Sequence, residues 1–314
     1  MARRVTISTL GTRPLTGGHG QPASACVARM ITYWQQELAQ VLPARPDLIV
    51  VPEQCDRFED HQPDECRAYF AERGSQVRDA FAAIARQHHC YVTYSGAWPH
   101  GDGTWRNRLQ VLDRQGEVRG HYDKFHPVVE ETSEWGVLPG RPPQLIETDF
   151  GTIAGVICFD LNFDTLRLQV KALKPDLVLF SSAYHGGMMQ PYWAYSCRAH
   201  FVSAVFGTHP SQILSPQGEV LAHTTNYFDH VTATVNLDCL VVHLDYNWDR
   251  LKRAKEKYGP EVTIFDPGYL GSVLLTSESP ARTARDIATE FGIELLDDYM
   301  ARAEAYQHAH RATT

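Results

Sequence analysis

The stretch "IAGVICFDLNF", Ile153 to Phe163, sets the reading of the whole chain. Its first half is small and apolar, and Ile153, Val156 and Ile157 favour a buried strand. A cysteine follows, and straight after it an aromatic, an aspartate and an asparagine. Packing is one account, because free cysteine is a good small core residue. The other account puts Cys158 at the strand tip as a nucleophile, beside backbone N–H groups released where the strand ends.

Working outward, other strands also end on reactive side chains. "DLIVVPE" reads as a buried strand closing on Pro52 and Glu53. "NRLQVLDRQGEVRGHYDK" alternates on both sides of Asp113–Gly116, which predicts a hairpin whose second arm delivers Lys124. Downstream lie a helix carrying Leu166, Val170 and Leu173, the apolar strand "DLVLFSSA", and a second hairpin in "SQILSPQGEVLA". Upstream, Val27, Met30, Ile31, Trp34, Leu38 and Val41 recur at helical spacing, as do Val77, Phe81, Ile84 and Ala85. The passage between Glu53 and Val77 reads as polar and loop-rich. Strands alternating with helices and interrupted by hairpins predict mixed sheets covered by helices, in an α/β chain. Residues 1–245 form one domain on this reading. Residues 246–314, with "DRLKRAKEKYG" and "LLDDYMARAEAYQHAH", form a C-terminal helical extension packing on the domain or on a dimer partner.

Bulk properties narrow the function. The 314 residues are 43% hydrophobic and 21% charged, with net charge −8 and no basic block, which disfavours nucleic acid or an anionic membrane as partner. No apolar run approaches the roughly 18–20 residues of a membrane helix. The start, "MARRVTISTLG", lacks the apolar core of a signal peptide. The 7 cysteines are odd in number and scattered, unlike a disulfide framework, so a cytoplasmic location is expected. Neither "CDRFEDHQPDEC" nor "HHC" has the paired spacing of a structural zinc site, and no metal or cofactor is expected.

A carboxylate, an amine and a thiol at strand ends suit acyl transfer. The thiolate is the competent nucleophile, and a nearby carboxylate can take the thiol proton. An ammonium, together with the N–H of Phe159, can hold the oxyanion of a tetrahedral intermediate. Spacing does not by itself bring Glu53, Lys124 and Cys158 together.

The segments "VVPE", "YDKFHP" and "GVICFDLNF" resemble the three signature regions of the nitrilase superfamily, the carbon–nitrogen hydrolases. The similarity continues through "KPDLVLFSSAYHGG", "CRAHFVSAVFG", "SQILSPQGEVLA" and "VTATVNLD", covering roughly residues 5–238 in order. The resemblance implies a four-layer α-β-β-α sandwich, paired into a homodimer or higher homo-oligomer. It also implies Glu53 as general base, Lys124 as oxyanion stabiliser and Cys158 as the acylated nucleophile. Many members carry a second glutamate before a Pro-Gly pair. Here "HPVVEETSEWGVLPG" offers Glu130, Glu131 and Glu134; distance to Pro139–Gly140 favours Glu134, and distance from Lys124 favours Glu131, with Glu134 ranked first.

Substrate expectations follow from a departure. Some branches acting on carboxylate-bearing amides place arginine just after the cysteine, where its fork grips the carboxylate. This chain has Leu161 and Asn162 there, so the resemblance points to an amidase-like branch and an uncharged or aromatic amide. Phe159, Tyr184, His185 and Trp193 are the candidates for lining the substrate pocket, against packing for the aromatics and a solvated loop for His185. Asp160 reads as a helix cap or structural acceptor. The alternatives are an N-carbamoyl amide hydrolase, a nitrilase, and an inactive binding or assembly module of the same fold.

Overall fold

A computed structural model describes residues 2–101, 103–207 and 209–311. By contact density the chain divides into two compact units, residues 5–235 and a second made of residues 2–4 with 236–311.

The larger unit contains, in chain order, β1 (Arg4–Leu10), β2 (Leu48–Val50), β3 (Tyr91–Pro99), β4 (Trp105–Leu112), β5 (Val118–Asp123), β6 (Ile146–Glu147), β7 (Thr152–Ile157), β8 (Leu177–Ser182), β9 (His200–Val205), β10 (Gln212–Leu214), β11 (Val220–His223) and β12 (His230–Asn236). Its helices are α1 (Ala23–Ala39), α2 (Pro63–Arg73), α3 (Gln76–His88), α4 (Val129–Ser133), α5 (Asp164–Leu173) and α6 (Met189–Cys197). Two six-stranded sheets result, in the orders β12-β1-β2-β3-β4-β5 and β11-β10-β9-β8-β7-β6. β1, β2 and β3 run parallel, as do β7, β8 and β9, while the predicted hairpins β4–β5 and β10–β11 are antiparallel.

Each sheet carries helices on its outer face. Cys26, Met30, Trp34 and Leu38 of α1 and Val77, Phe81 and Ala85 of α3 pack with Ile49 and Val92 of the first sheet. Leu166 and Val170 of α5 and Trp193 and Ala194 of α6 pack with Val156, Val178, Phe180 and Phe201 of the second. The inner faces meet each other. The Ser181 hydroxyl donates to the Val51 carbonyl at 2.8 Å, and the Thr9 hydroxyl to the Ser203 carbonyl at 2.7 Å, so buried hydroxyls are satisfied by the opposite sheet. This is the four-layer sandwich. It requires a very close approach at β7, where a Cβ on Gly155 would lie 2.8 Å from the Tyr122 Cβ and 3.2 Å from Leu109.

α2 lies where the sequence predicts loop. Its buried positions are Cys66, Tyr69 and Arg73, and an arginine on the core face erases the apolar periodicity. Arg73 is wholly buried because it pairs with buried Asp56 at 2.8 Å and donates to the Ala97 carbonyl at 2.6 Å.

The smaller unit is not purely helical. β13 (Cys239–His243), β14 (Val262–Phe265) and β15 (Ser272–Ser277) form an antiparallel sheet in the order β13-β15-β14. α7 (Trp248–Tyr258) and α8 (Ala284–Phe291) bury Leu251, Ala254, Ile287 and Ala288 with this sheet's Val242, Val273 and Leu275, and α9 (Leu296–His310) follows. The unit therefore starts about ten residues before the expected boundary. Its strands are short, and solvent-facing β14 carries little apolar alternation.

Gly155→Ala is expected to destabilise the chain by about 1–3 kcal/mol, since the sheets must part to admit a methyl group. A urea transition monitored by tryptophan fluorescence measures this, and an unchanged midpoint would contradict the close approach.

Candidate active site

The ends of β2, β5 and β7 deliver the three reactive residues. β2 stops at Val50, and Glu53 follows across Val51 and Pro52; Lys124 directly follows β5; Cys158 directly follows β7. Two of these strand ends have unusual backbone. Cys158 has φ +48° and Gln54, next to Glu53, has φ +43°, conformations that non-glycine residues adopt only when their surroundings enforce them. At Cys158 the enforcing contact is Asp160. Its buried carboxylate accepts from the Ile157 N–H at 3.1 Å, the Tyr122 hydroxyl at 2.8 Å and the His126 N–H at 2.7 Å. One side chain thus locks the turn around the cysteine to the loop that follows the lysine.

Lys124 is held as tightly. Its N–H donates to the Asn107 carbonyl at 2.8 Å, and its carbonyl accepts from the Gly140 N–H at 2.8 Å. A Cβ on Gly140 would come within 2.2 Å of the Asp123 carbonyl oxygen, so only glycine lets this segment lie against the end of β5.

The charged groups form one network. The Lys124 ammonium, 2% exposed, donates to Glu53 Oε1 at 2.9 Å and to Glu131 Oε2 at 2.7 Å. The Asn107 amide bridges the same two carboxylates, donating to Glu53 Oε1 at 2.7 Å and Glu131 Oε1 at 2.8 Å. The Ala183 N–H donates to Glu53 Oε2 at 3.1 Å, and the Val128 N–H to Glu131 Oε2 at 2.9 Å. Burial alone would lower the Lys124 pKa, but the charges of Glu53 and Glu131 raise it above the usual lysine range.

The Cys158 thiol lines the same cavity as the Glu53 carboxylate, near enough for that charge to act on it. Burial first, and the negative charge of Glu53 second, push its pKa up to about 12, against the opposing pull of Lys124. Near neutral pH the thiol is therefore protonated. Phe159 follows in the first turn of a short 3₁₀ helix, Cys158–Asn162, where leading N–H groups have no intrahelical acceptor. Cys158, Glu53, Lys124 and Glu131 all face a cavity of about 340 Å³, whose other walls include Arg57 and Phe206.

The second glutamate at this network is Glu131, not Glu134. The short helix α4 turns Glu131 inward at its first turn, where its carboxylate also caps the helix at Val128. Glu134, one turn further on, is exposed at the helix end. Among the aromatic candidates, Trp193 is fully buried in the outer core and donates its indole N–H to the Leu161 carbonyl at 2.9 Å, so it is a packing residue. Tyr184 is half-buried and accepts from Asn162 at 2.9 Å, close enough to feel the charge of Lys124. His185 sits in the next loop, where its Nδ1 accepts from the Gly187 N–H at 3.1 Å. Neither Tyr184 nor His185 lines the cavity. Phe159 is partly exposed, its ring edge-on to Phe163 at 5.2 Å. Sequence reading missed Asn107 and Arg57: an asparagine inside a strand and an arginine in a polar loop carry no local signal.

Comparison with known proteins agrees with this geometry. The carbon–nitrogen hydrolase family profile matches residues 23–239. The chain belongs to the carbon–nitrogen hydrolase family. An apolipoprotein N-acyltransferase from Synechocystis is 30% identical over 148 residues, covering 38% of this chain and 28% of that protein. The nitrilase and fragile histidine triad fusion protein NitFhit of Drosophila melanogaster is 26% identical over 187 residues, covering 51% of this chain and 40% of that protein. The chain thus spans well under half the length of these relatives. Among solved structures, an amidase from Nesterenkonia superposes with a TM-score of 0.60 at 20% identity, covering 74% of this chain and 89% of the amidase. Variants of that amidase carry acrylamide or an acetamide group added to the active-site cysteine. No helix of the described residues is long and apolar enough to cross a membrane.

Glu131→Gln should cost about 1–3 kcal/mol of stability, because Lys124 and Asn107 lose a charged acceptor. Glu134→Gln should stay within about 0.5 kcal/mol, as befits an exposed position. Parallel denaturant titrations separate the two, and equal effects would contradict the assignment of Glu131. Alkylation of Cys158 by iodoacetamide, followed by peptide mass spectrometry, should keep accelerating as pH rises past 9. An ordinary free thiol, with a pKa near 8.5, would already have levelled off there. A plateau at or below pH 9 would show that the thiol is not raised.

Proposed function

We propose that the protein hydrolyses a non-peptide C–N bond, that of a linear amide, through a thioester on Cys158. The observation that carries this reading is a single cavity that presents the Cys158 thiol, the Glu53 carboxylate and the Lys124 ammonium, the last two 2.9 Å apart.

In the first half-reaction the Cys158 proton passes to Glu53 as sulfur bonds to the amide carbon. The oxyanion is held by the Lys124 ammonium and the Phe159 N–H, groups fixed in place before substrate arrives. Collapse breaks the C–N bond, and Glu53 returns the proton to the departing nitrogen, which leaves as ammonia or an amine. In the second half-reaction Glu53 takes a proton from water, whose oxygen bonds to the thioester carbon. The C–S bond then breaks, the acid departs, and sulfur regains its proton. Glu131 and Asn107 hold Lys124 and Glu53 in register through both halves. The adducts on the cysteine of the Nesterenkonia amidase support the same assignment for Cys158. We further propose that the active species is a homo-oligomer acting in the cytoplasm.

Incubation with short primary amides, butyramide among them, should release ammonia and acid in equal amounts. Cys158→Ala should abolish release, and Lys124→Gln should lower kcat by roughly 10²–10³. Intact mass of the wild-type protein quenched in turnover should show one acyl group on Cys158. Full ammonia release from the Cys158→Ala protein would end the thioester mechanism.

A further inference from the structure

The absence of arginine after Cys158 suggests an uncharged substrate, but another loop supplies the cation. Arg57 lines the catalytic cavity together with Glu53 and Cys158. Among the described residues its guanidinium forms no ion pair and no side-chain hydrogen bond, and its single ring contact is Trp135, with the guanidinium carbon 5.4 Å from the ring centroid. Other arginines of this unit are occupied: Arg73 by Asp56, Arg108 by Asp123, Arg114 by Asp47 and Asp149.

Arg57 also stands on a rigid loop. The Cys55 N–H donates to the Ser95 carbonyl at 2.8 Å, and the Trp34 indole donates to the Cys55 carbonyl at 2.9 Å. Asp56 is buried against Arg73 and the Tyr94 hydroxyl, and the Arg57 N–H closes a turn onto Gln54. Arg57 is thus an exposed cation with a fixed root and no ion-pair partner, available to an external anion.

Beside the catalytic cavity lies a second one of about 250 Å³, and the two share Gln54, Arg57, Val128 and Glu131 as walls. Its far wall is apolar and flat-sided, made by Phe70, Ala97, Trp105, Trp135 and Val137. Arg67, loosely paired with Asp64 at 3.8 Å, adds a second cation, and exposed Glu130 opposes it. Glu131 shares the Lys124 ammonium with Glu53, so that network keeps one negative charge and Arg57 stands beside it as a separate cation. Exposed Glu59 lines the catalytic cavity and forms no ion pair with Arg57.

We propose that the substrate is an extended amide with a distal carboxylate. The amide carbon sits at Cys158, the apolar body runs past Val128 into the aromatic chamber, and Arg57 grips the carboxylate. The inference rests on the amide-hydrolase reading above and names its substrate class.

The test uses paired primary amides that differ only in a terminal carboxylate, built on alkyl and phenyl spacers. Wild-type kcat/KM should favour the carboxylate member by about tenfold or more, the worth of one charge-assisted pair. Arg57→Gln should collapse that ratio towards unity, and Arg57→Lys, which keeps the charge but not the fork, should retain part of it. A purely structural role for Arg57 would lower both members together and leave the ratio unchanged. An unchanged ratio in Arg57→Gln, or a wild-type preference for the neutral members, would overturn the proposal while leaving amide hydrolysis intact. Failure to turn over any amide, with Cys158 never acylated, would instead sink the amide reading, and this inference with it.

Discussion

One ammonium organises this site. Removing the Lys124 charge from water costs several kcal/mol, and the loss is offset only if counter-charges meet it at hydrogen-bonding distance. Two carboxylates do so, Glu53 at 2.9 Å and Glu131 at 2.7 Å, and Asn107 ties them to each other. Each member comes from a different element: the end of β2, β4, the end of β5, and α4. Were Lys124 missing, two buried carboxylates would be left facing each other across Asn107 with no cation between them. The network thus ties four elements together at the sheet ends.

The thiol inherits its state from that network. Glu53 is shared between Lys124 and Cys158, so a single carboxylate both anchors the cation and keeps the sulfur protonated. This arrangement differs from a preformed thiolate, which would be nucleophilic but also exposed to wasteful alkylation and oxidation. In the proposed mechanism nucleophilicity arises only when the proton has somewhere to go and the oxyanion somewhere to rest. The positive φ at Cys158 fits that economy: the turn is strained, and Asp160 keeps it in place through three hydrogen bonds while touching no reacting group.

Much of the scaffold was legible because it follows simple periodicities. Both hairpins announced themselves by alternation around Asp113–Gly116 and Pro216–Gly218, and α1 and α3 by apolar spacing. α2 was hidden because its core face includes Arg73, a residue that belongs inside only once Asp56 is known to face it. Counting ranked Glu134 above Glu131 by its distance to Pro139–Gly140, and the structure reverses the order. It is Glu131, in the first turn of α4, that meets Lys124 at 2.7 Å and Asn107 at 2.8 Å. Trp193 illustrates the opposite error, an aromatic near the signature residues that proves to fill the core. Asn107 and Arg57 had no signal at all, because a strand asparagine and a loop arginine acquire meaning only from what stands opposite.

The same division explains how one fold can carry many substrates. The reactive groups follow strand ends, whereas the walls shared by the two cavities, Gln54, Arg57, Val128 and Glu131, come from the segments after β2 and β5. Each segment has its own anchor, Asp56 to Arg73 in one and Glu131 to Lys124 in the other. In the proposed substrate site, the arginine absent after Cys158 is replaced from the loop that follows Glu53. Reading specificity from the residues that follow the cysteine overlooks that exchange, because three-dimensional neighbours need not be neighbours in sequence.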